Sequence, residues 1–421
     1  MDLIFAEATP PGRGGVSVIR LSGAGSRVAA EALVGVLEHP RTAYLRQLTE
    51  QGEPIDTVLA MWFQEGASFT GEEVAELHVH GAPVVVRRVS QALAHLGARV
   101  ADPGEFTRRA FLNGRMDLAE IEGLGDLLAA ETEAQRKLAL RAAQGEIAKK
   151  VGAWRRLLIE AGALVEVSVD FADEDVPDEI PDRVFELVNE LQAELRRELD
   201  GFGAAERVRI GFEVAIVGPP NAGKSSLLNK IAAREVAIVS SLAGTTRDVI
   251  EVKIDLHGLA VTLLDTAGLR DTEETIEAIG IARARERAEQ AELRIHLSDE
   301  GLPVADLWKP GDFVVQGKAD LQKPLTKLAV SASDGSGIED LLLALHEELI
   351  DRIAHAGVVS HERQRVELED AVEALNNLHV LPVELVAESL RRAGSCLDRL
   401  LGTIGAEDYL DVIFSSFCIG K

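Results

Sequence analysis

The most constraining feature of the sequence is a glycine-rich segment. Residues 218–225 read GPPNAGKS and match the phosphate-binding pattern G-x-x-x-x-G-K-[ST]. An apolar run precedes the segment and a helix-forming run follows it, which is the context that the pattern requires. Glycines let backbone N–H groups turn toward phosphates, and a helix N-terminus favours negative charge. We expect Lys224 to reach the β- and γ-phosphates of a nucleotide and Ser225 to bind Mg²⁺.

Two later segments extend this prediction along the phosphates. Asp265 follows an apolar run and opens the sequence DTAG, so its carboxylate is suited to the Mg²⁺ shell and Gly268 to the γ-phosphate. Between this segment and the phosphate loop lies AGTTRD, in which Thr246 is suited to reach Mg²⁺ when the γ-phosphate is present. The spacing predicts a nucleotide triphosphatase with a switch loop.

A third segment predicts which base is read. Gly317-Lys318-Ala319-Asp320 follows the strand-like run FVVQ at the place of an N-K-x-D element. Asp320 is suited to accept hydrogen bonds from guanine, and Lys318 to cover its ring. Gly317 stands where asparagine is usual, which predicts weaker guanine affinity without lost specificity. Ser331 and Ala332 fit the last element near the base. The predicted GTP ligands are Asn221, Ala222, Gly223, Lys224, Ser225, Ser226, Ser240, Ser241, Leu242, Ala243, Gly244, Thr245, Thr246, Asp265, Thr266, Ala267, Gly268, Lys318, Asp320, Ser331 and Ala332.

The activation of water must differ from that in Ras-like enzymes. Those enzymes have a glutamine directly after D-x-x-G, and here that position is Leu269. The next residues, 270–277, are rich in carboxylates, most of which we interpret as an acidic loop. A bound monovalent cation near Asn221 and residues 240–245 is suited to supply the missing charge.

The rest of the chain predicts several domains. A length of 421 residues exceeds one ordinary core. Residues 1–110 predict a small α+β domain with strands at 4–8, 15–21, 58–63 and 74–79 and a helix at 83–96. Residues 117–199 and 361–421 have helical composition, and residues 201–203 (GFG) predict a linker. We therefore expect a multidomain α/β protein: an α+β domain (1–114) and an all-α domain (115–210 and 351–421) interrupted by an inserted Ras-like P-loop G domain (211–350).

Composition narrows the environment and the partners. No apolar run approaches the roughly 20 residues of a membrane helix, the start MDLIF lacks the basic segment of a signal peptide, and two cysteines form no disulfide framework. These features predict a cytoplasmic protein. The net charge of −26 argues against a nucleic-acid footprint over the whole surface. The basic stretch from Arg136 to Arg156 reads as one helical segment, and we favour a solvated helix face over an RNA patch. His78 and His80 read as structural histidines rather than metal ligands.

Five further motifs carry a family resemblance. They are ATPPGRGG at 8–15, SFTGE at 68–72, PGEFTRRAFLNG at 103–114, GTTRD at 244–248 and FSSFCIGK at 414–421. Over nearly its whole length the chain resembles the MnmE (TrmE) family of tRNA modification GTPases. The resemblance implies an N-terminal domain that binds folate and forms a homodimer. It also implies a heterotetramer with the FAD-dependent protein MnmG (GidA) and no membrane partner.

The family's reaction implies roles for single residues. With MnmG, an aminomethyl or carboxymethylaminomethyl group is added to C5 of the wobble uridine (position 34) of tRNA, with a one-carbon unit from 5-formyl- or methylene-tetrahydrofolate. Glu277 matches the family's water-positioning glutamate, and Cys418 is a candidate reactive thiol, with a buried structural cysteine an equal alternative. The matched ligands are Ser225 and Thr246 for Mg²⁺; Asn221, Ser240, Leu242 and Thr245 for K⁺; and Arg20, Glu76, Arg115 and Lys421 for folate.

Two other functions stay open from the sequence. The chain could be a GTP-driven switch that only gates partner binding, or a nucleotide-binding assembly factor, as the departure at Gly317 suggests. Arg115 also departs from the family, since lysine is common there, and arginine keeps the charge but changes the geometry. Sustained turnover that requires K⁺ distinguishes the modifying GTPase from both alternatives.

Overall fold

The computed structural model describes residues 1–170, 180–234, 250–265 and 285–403, together with residues 413, 417 and 420. The chain divides into two compact units. Unit 1 comprises Met1–Gly125 and Leu397–Lys421, and unit 2 comprises Asp126–Cys396. In the described part of the chain, every helix is too short or too polar to span a membrane.

Unit 1 is built on a six-stranded sheet with the strand order β3-β4-β5-β2-β1-β6. All neighbouring strands are antiparallel except β1 and β6. Helices α1 (Ser26–Val34) and α2 (Pro83–His95) cover an apolar core, and α3 (Glu105–Leu112) follows β6. The strands are β1 (Ile4–Glu7), β2 (Ser17–Ser22), β3 (Tyr44–Glu50), β4 (Glu53–Phe63), β5 (Val74–Val79) and β6 (Arg99–Val100).

This unit confirms the predicted α+β class. The four predicted strands and the helix at 83–96 are present, whereas α1, β3 and β6 were not predicted. Strand β3 alternates apolar and polar residues only weakly, and its burial alternates in the same way, as expected at a sheet edge. Strand β6 has two residues, which is too short for a periodic signal.

Two of the family motifs meet at one buried arginine. The side chain of Arg109 on α3 is 3% exposed and pairs with Asp2 at 2.7 Å, Glu72 at 3.0 Å and Glu105 at 2.9 Å. Glu72 also accepts a hydrogen bond from Ser22, whose hydroxyl contacts Thr70. A buried arginine is stable only with such partners. The SFTGE and PGEFTRRAFLNG motifs therefore hold α3 against the sheet.

Unit 2 contains long helices and a second sheet. The helices after α3 are α4 (Leu118–Ala129), α5 (Glu133–Ala143), α6 (Glu146–Asp170), α7 (Asp182–Ile210), α8 (Lys224–Arg234), α9 (Ile338–Arg352), α10 (Glu362–Ala374) and α11 (Val383–Leu401).

The predicted linker at 201–203 is wrong, because α7 continues through it to Ile210. A Cβ atom at Gly201 would lie 2.7 Å from the carbonyl oxygen of His355 and 2.8 Å from the amide nitrogen of Gly357. Gly201 therefore permits a close approach between the helix and a neighbouring segment rather than a break. The basic stretch 136–156 was also wrongly taken as one helix, since α5 ends at Ala143 and α6 begins at Glu146.

The second sheet also has six strands, in the order β12-β11-β10-β7-β9-β8. Its strands are parallel except for the β8–β9 hairpin, which turns at His257-Gly258 as predicted, with both residues at positive φ. The core contains residues from the strands, α8 and α9. The strands are β7 (Phe212–Val217), β8 (Ile250–Leu256), β9 (Leu259–Asp265), β10 (Leu293–Ser298), β11 (Phe313–Gln316) and β12 (Leu328–Ala329). Helices flanking a mostly parallel sheet confirm the predicted α/β class.

Candidate nucleotide site

The phosphate loop connects β7 to α8 at the carboxyl edge of the parallel sheet. Gly218 follows β7 directly, and a Cβ atom there would overlap the carbonyl oxygen of Leu297 in β10. Asn221 (φ 63°) and Gly223 (φ 93°) adopt left-handed conformations that turn the chain into α8. The helix then begins at Lys224, so its free N–H groups face the loop. This is the strand–loop–helix geometry predicted for phosphate binding.

Lys224 and Asp265 form the electrostatic centre of the loop. Lys224 is buried and its Nζ donates to the carbonyl oxygens of Gly218 (2.9 Å) and Pro219 (3.0 Å). Burial lowers the pKa of Lys224, an effect that the negative charge of Asp265 opposes. Lys224 is therefore held inside the loop by carbonyls that compete poorly with a phosphate for an ammonium group.

Asp265 is the last residue of β9 and lies beside Ile216 of β7. It is 3% exposed, and neither carboxylate oxygen has a hydrogen-bond partner among the described residues. An orphaned buried carboxylate is costly unless a cation or donor arrives. The residues present thus fit a Mg²⁺ ion held between the end of β9 and the start of α8, where Ser225 is half-buried.

The base-reading segment lies beside the phosphate loop. Gly317 donates its N–H to Ser298 at 2.9 Å, and a Cβ atom at Gly317 would lie 3.2 Å from the carbonyl oxygen of Ala222. Ala319 donates to Val330, which carries the chain into the last predicted element. The structure therefore brings three predicted segments together: the phosphate loop, the segment with Lys318 and Asp320, and the segment with Ser331 and Ala332. Asp320 is exposed and Ser331 is buried.

Asp299 contacts the base-reading segment and was not predicted from the sequence. This residue follows β10, and its Oδ2 accepts a 2.7 Å hydrogen bond from Nζ of Lys318. Its Oδ1 is buried without a hydrogen-bond partner among the described residues, and a Cβ atom at Gly317 would lie 3.7 Å from it. The sequence signal for Asp299 was its position directly after a strand, because the carboxyl ends of parallel strands meet at one edge of the sheet, where ligands bind. Asp299 holds Lys318 in place next to the predicted base site.

Several predicted site residues lie outside the described residues. They are Ser240, Ser241, Leu242, Ala243, Gly244, Thr245, Thr246, Thr266, Ala267, Gly268, Glu277, Cys418 and Lys421.

The residues matched to folate lie in unit 1. Arg20 of β2 faces Glu76 of β5 across the sheet, with Nε 2.9 Å from Oε1. A hydrogen bond from His78 and the charge of Arg20 hold the pKa of Glu76 below its ordinary value, although burial opposes this shift. The Arg20 guanidinium also lies 5.7 Å from the ring centre of Phe69. Arg115 packs against Gly71, which lies with Phe69 in the SFTGE motif. A Cβ atom at Gly71 would lie 3.1 Å from Cγ of Arg115.

Two described residues of the C-terminal segment contact this unit. Phe417 packs with Leu118 and Ile121 and lies over Gly125. A Cβ atom at Gly420 would overlap the carbonyl oxygen of Glu7 at the end of β1. Gly420 therefore lies against the end of β1.

Comparison with known proteins decides the family. A family model described as "GTP-binding protein TrmE N-terminus" matches residues 3–115, and one described as "MnmE helical domain" matches residues 118–418. The chain is 55% identical to the tRNA modification GTPase MnmE of Paracoccus denitrificans (strain Pd 1222) over 421 residues, with full coverage of both chains. It is 52% identical to that of Cereibacter sphaeroides (strain ATCC 17025 / ATH 2.4.3), again with full coverage.

The chain belongs to the MnmE family of tRNA modification GTPases. This membership confirms the predicted class, a GTP hydrolase that acts in tRNA modification. Among solved structures, the G domain of the T. maritima FeoB iron transporter is 21% identical and covers 34% of this chain and 98% of that chain, with a TM-score of 0.26.

The basic stretch in unit 2 is mostly neutralised by neighbouring carboxylates. Glu133 pairs with Arg136 and Lys137, Glu146 pairs with Arg141, and Glu198 pairs with Lys150. For these four basic residues, the pairing agrees with the interpretation as a solvated helix face. Of the two predicted structural histidines, His78 contacts Glu76, and His80 contacts Asp56.

Proposed function

We propose that this chain is a Mg²⁺- and K⁺-dependent GTPase that acts with an FAD-dependent protein of the MnmG type. Together they add an aminomethyl or carboxymethylaminomethyl group to C5 of the wobble uridine of tRNA, with a one-carbon unit from a tetrahydrofolate. The observation that carries the nucleotide part is the buried carboxylate of Asp265, which has no hydrogen-bond partner among the described residues and lies near the buried ammonium of Lys224.

The proposed division of labour follows the carboxyl edge of the sheet. The N–H groups of the phosphate loop and Lys224 bind the phosphates, while Ser225, Thr246 and Asp265 hold Mg²⁺. Magnesium supplies charge neutralisation at the transferring phosphoryl group. Asp320 reads guanine, with Lys318 positioned by Asp299.

Water activation is assigned to Glu277, since Leu269 has no polar group to orient a water molecule. The ligands proposed for K⁺ are Asn221, Ser240, Leu242 and Thr245, which supply one side-chain amide oxygen and several loop oxygens. Asn221 has a left-handed conformation and is exposed among the residues that the structure describes, which supports this assignment. A monovalent cation there offsets the charge that develops on the phosphates.

The folate site is proposed at Arg20, Glu76, Arg115 and Lys421. The Arg20–Glu76 pair and the neighbouring ring of Phe69 support it, because a carboxylate and a cation beside an aromatic face suit a pterin and its acidic tail. The contact of Gly420 with Glu7 supports a role for the chain end. Cys418 is then a candidate thiol near this site.

We further propose a homodimer through residues 1–114 and a cytoplasmic heterotetramer with the FAD-dependent protein. The inserted G domain spans 211–350 and the helical domain 115–210 and 351–421. Contacts between α5 and the β8–β9 hairpin support coupling of nucleotide state to the helices. Ala134 donates its N–H to the carbonyl of Gly258 at 3.0 Å, and Lys253 pairs with Glu131 at 3.2 Å.

Steady-state GTP hydrolysis in matched KCl and NaCl tests the catalytic part. We expect turnover in K⁺ and little in Na⁺, and Asn221→Gly removes the amide while tolerating the left-handed backbone. Glu277→Ala should slow hydrolysis by about 10²–10³ with nearly unchanged nucleotide affinity, and Glu274→Ala is the matched control. Equal rates in both salts, with full activity of Glu277→Ala, would leave a GTP switch or assembly factor as the better function.

Two measurements test the remaining parts separately. Nucleoside analysis of tRNA from cells lacking the chain should show unmodified C5 at the wobble uridine. Calorimetric titration of the full chain with 5-formyltetrahydrofolate should show binding that Arg20→Ala and deletion of Lys421 both weaken. An intact chain without folate binding would remove the one-carbon role and leave the GTPase role standing.

A further inference from the structure

A second surface site is present in unit 1, away from the nucleotide loop. A cavity of about 510 Å³ lies between the loop after β1 and the first turn of α2. Its charged lining consists of Arg13, His80 and Arg87, and its remaining wall includes Gly14, Gly81 and Val84. Arg13 belongs to the ATPPGRGG motif, which neither the nucleotide site nor the folate contacts use.

The two glycines fix the shape of this cavity. Gly14 donates its N–H to the carbonyl oxygen of Gly81 at 2.9 Å. A Cβ atom at Gly81 would lie 2.6 Å from the carbonyl oxygen of Gly14, so no larger residue fits this approach. The close contact holds the loop that carries Arg13 against the start of α2, which carries Arg87 one turn later.

The two arginines differ from their neighbours in charge pairing. Arg88, next to Arg87, pairs with Glu50 at 2.8 Å and Glu53 at 3.3 Å. Neither Arg13 nor Arg87 forms an ion pair or hydrogen bond with a residue that the structure describes, and both are exposed. In a chain with 70 acidic and 44 basic residues, two unpaired guanidinium groups on one cavity form a local positive centre.

His80 adds an oriented ring nitrogen. Asp56 accepts hydrogen bonds from the backbone N–H of His80 at 2.8 Å and from its Nδ1 at 2.7 Å. Burial opposes ionisation of Asp56, but the His80 and Thr57 hydrogen bonds hold the pKa of Asp56 below its ordinary value, so it is a carboxylate. A carboxylate acceptor requires a proton on Nδ1, so Asp56 orients the His80 ring, whose side chain is 69% exposed, in the lining of the cavity.

We propose that the cavity binds a backbone phosphate of the tRNA substrate, with Arg13 and Arg87 as its contacts. Guanidinium groups match the oxygen geometry of phosphates. The cavity is open to solvent at both arginines, which suits a polymer whose phosphates are linked on both sides. In a chain of net charge −26, cations without carboxylate partners are the favoured contacts for a polyanion, and four cations of the basic stretch of unit 2 are already paired. This proposal rests on the proposed tRNA function.

The test compares tRNA binding by charge-matched variants of the full chain in the presence of the FAD-dependent partner. Arg13→Ala/Arg87→Ala should weaken binding of a tRNA transcript about 10²-fold and reduce the slope of log affinity against log salt by about one, as expected for the loss of one phosphate contact. Arg197→Ala/Arg392→Ala removes the same charge from exposed positions elsewhere and should change the affinity less than about threefold. Arg13→Lys/Arg87→Lys should keep most of the salt slope and lose part of the affinity.

Unchanged GTP hydrolysis and an unchanged thermal unfolding curve establish that the alanine variant is folded. If the alanine variant does not fold, the lysine variant is compared with the wild type instead. Equal tRNA affinities of the two alanine pairs overturn the proposal. If inorganic phosphate binds in calorimetry with the same dependence on Arg13 and Arg87 while tRNA affinity is unchanged, the site serves a small phosphate and the RNA assignment is overturned. The proposed function is tested separately: it fails if cells lacking the chain keep normal wobble-uridine modification, whatever the result for the cavity.

Discussion

The two edges of the mostly parallel sheet in unit 2 differ in whether their buried carboxylates have hydrogen-bond partners. At the amino edge, Asp312 precedes β11, and its side chain, 0% exposed, accepts hydrogen bonds from Arg294 at 2.8 Å and His296 at 3.1 Å. At the carboxyl edge, Asp265 ends β9 with both oxygens unpartnered among the described residues. Both carboxylates are removed from water, but only one is satisfied from within the protein.

We interpret the paired carboxylates as groups that stabilise the fold and the unpaired ones as candidate ligand-binding groups. The amino edge contains further complete pairs, such as Glu213 with Arg287 and Glu292 with Arg207, each at 2.7 Å. The carboxyl edge contains Asp299, whose Oδ1 also lacks a partner among the described residues. An unsatisfied buried charge costs up to several kcal/mol after relaxation, which binding of a cation or donor recovers. The open edge is thus the functional one.

The largest effect is expected at Lys224. Lys224→Met should lower the rate of GTP hydrolysis by about 10³, because the ammonium group that stabilises the transferring phosphoryl group is lost. The free energy of unfolding should stay equal or rise, since burial already disfavours the charged lysine, whose pKa is lowered. Initial hydrolysis rates and urea unfolding measure both effects. A variant that is active but unfolds readily would make Lys224 a structural residue.

The closed edge is tested at Asp312. Asp312→Asn should reduce the free energy of unfolding by about 3–5 kcal/mol, because Arg294 remains buried without its counter-charge. Burial opposes ionisation, but the hydrogen bonds from Arg294, the backbone N–H of Lys309 and His296 together lower the pKa of Asp312. The wild-type contribution is therefore fully present above the ordinary carboxyl pKa and is lost as pH falls through the lowered value. Urea unfolding from pH 7 down to pH 3 should show this loss in the wild type and a flatter profile in the variant.

Asp265→Asn is the matched substitution at the open edge. Without nucleotide, the free energy of unfolding should stay the same or rise by about 1 kcal/mol, since an unpaired buried charge is removed. The extra stability conferred by Mg²⁺ and a GTP analogue, about 2.7 kcal/mol at 100 times the dissociation constant, should largely disappear. Thermal unfolding with and without ligand measures both quantities. A loss in the unliganded protein as large as that of Asp312→Asn would contradict the distinction between the edges.

The smallest effect is expected at Gly317. An asparagine amide there lies within reach of the unpartnered Oδ1 of Asp299, and one hydrogen bond contributes about 0.5–1.5 kcal/mol. Gly317→Asn should therefore tighten GTP binding by up to about tenfold. The carbonyl of Ala222, 3.2 Å from the new Cβ, has to yield slightly. Gly317→Ala introduces the same Cβ without the amide, so equal gains in both variants would exclude the hydrogen bond as the cause.

Local sequence patterns were enough to predict most of the fold and part of the candidate site. The phosphate loop, β9, β11 and the β8–β9 turn were predictable because each depends on a few adjacent residues and on apolar periodicity. The linker prediction at Gly201 failed because a glycine that permits helix packing looks the same in sequence as one that ends a helix. Asp299 was missed because no local motif marks it.

Residue type and spacing were enough to predict a nucleotide loop, a guanine-reading segment and the family motifs, since these are short-range properties. The pairing of charges, in contrast, depends on the fold. Arg109 finds Asp2 across 107 positions of sequence, and Arg13 meets Arg87 on one cavity without a counter-charge among the described residues. The same residue types give a structural ion pair in one place and an open site in the other. Burial and the presence of a partner, both set by long-range packing, fix the energetic role of a charged side chain.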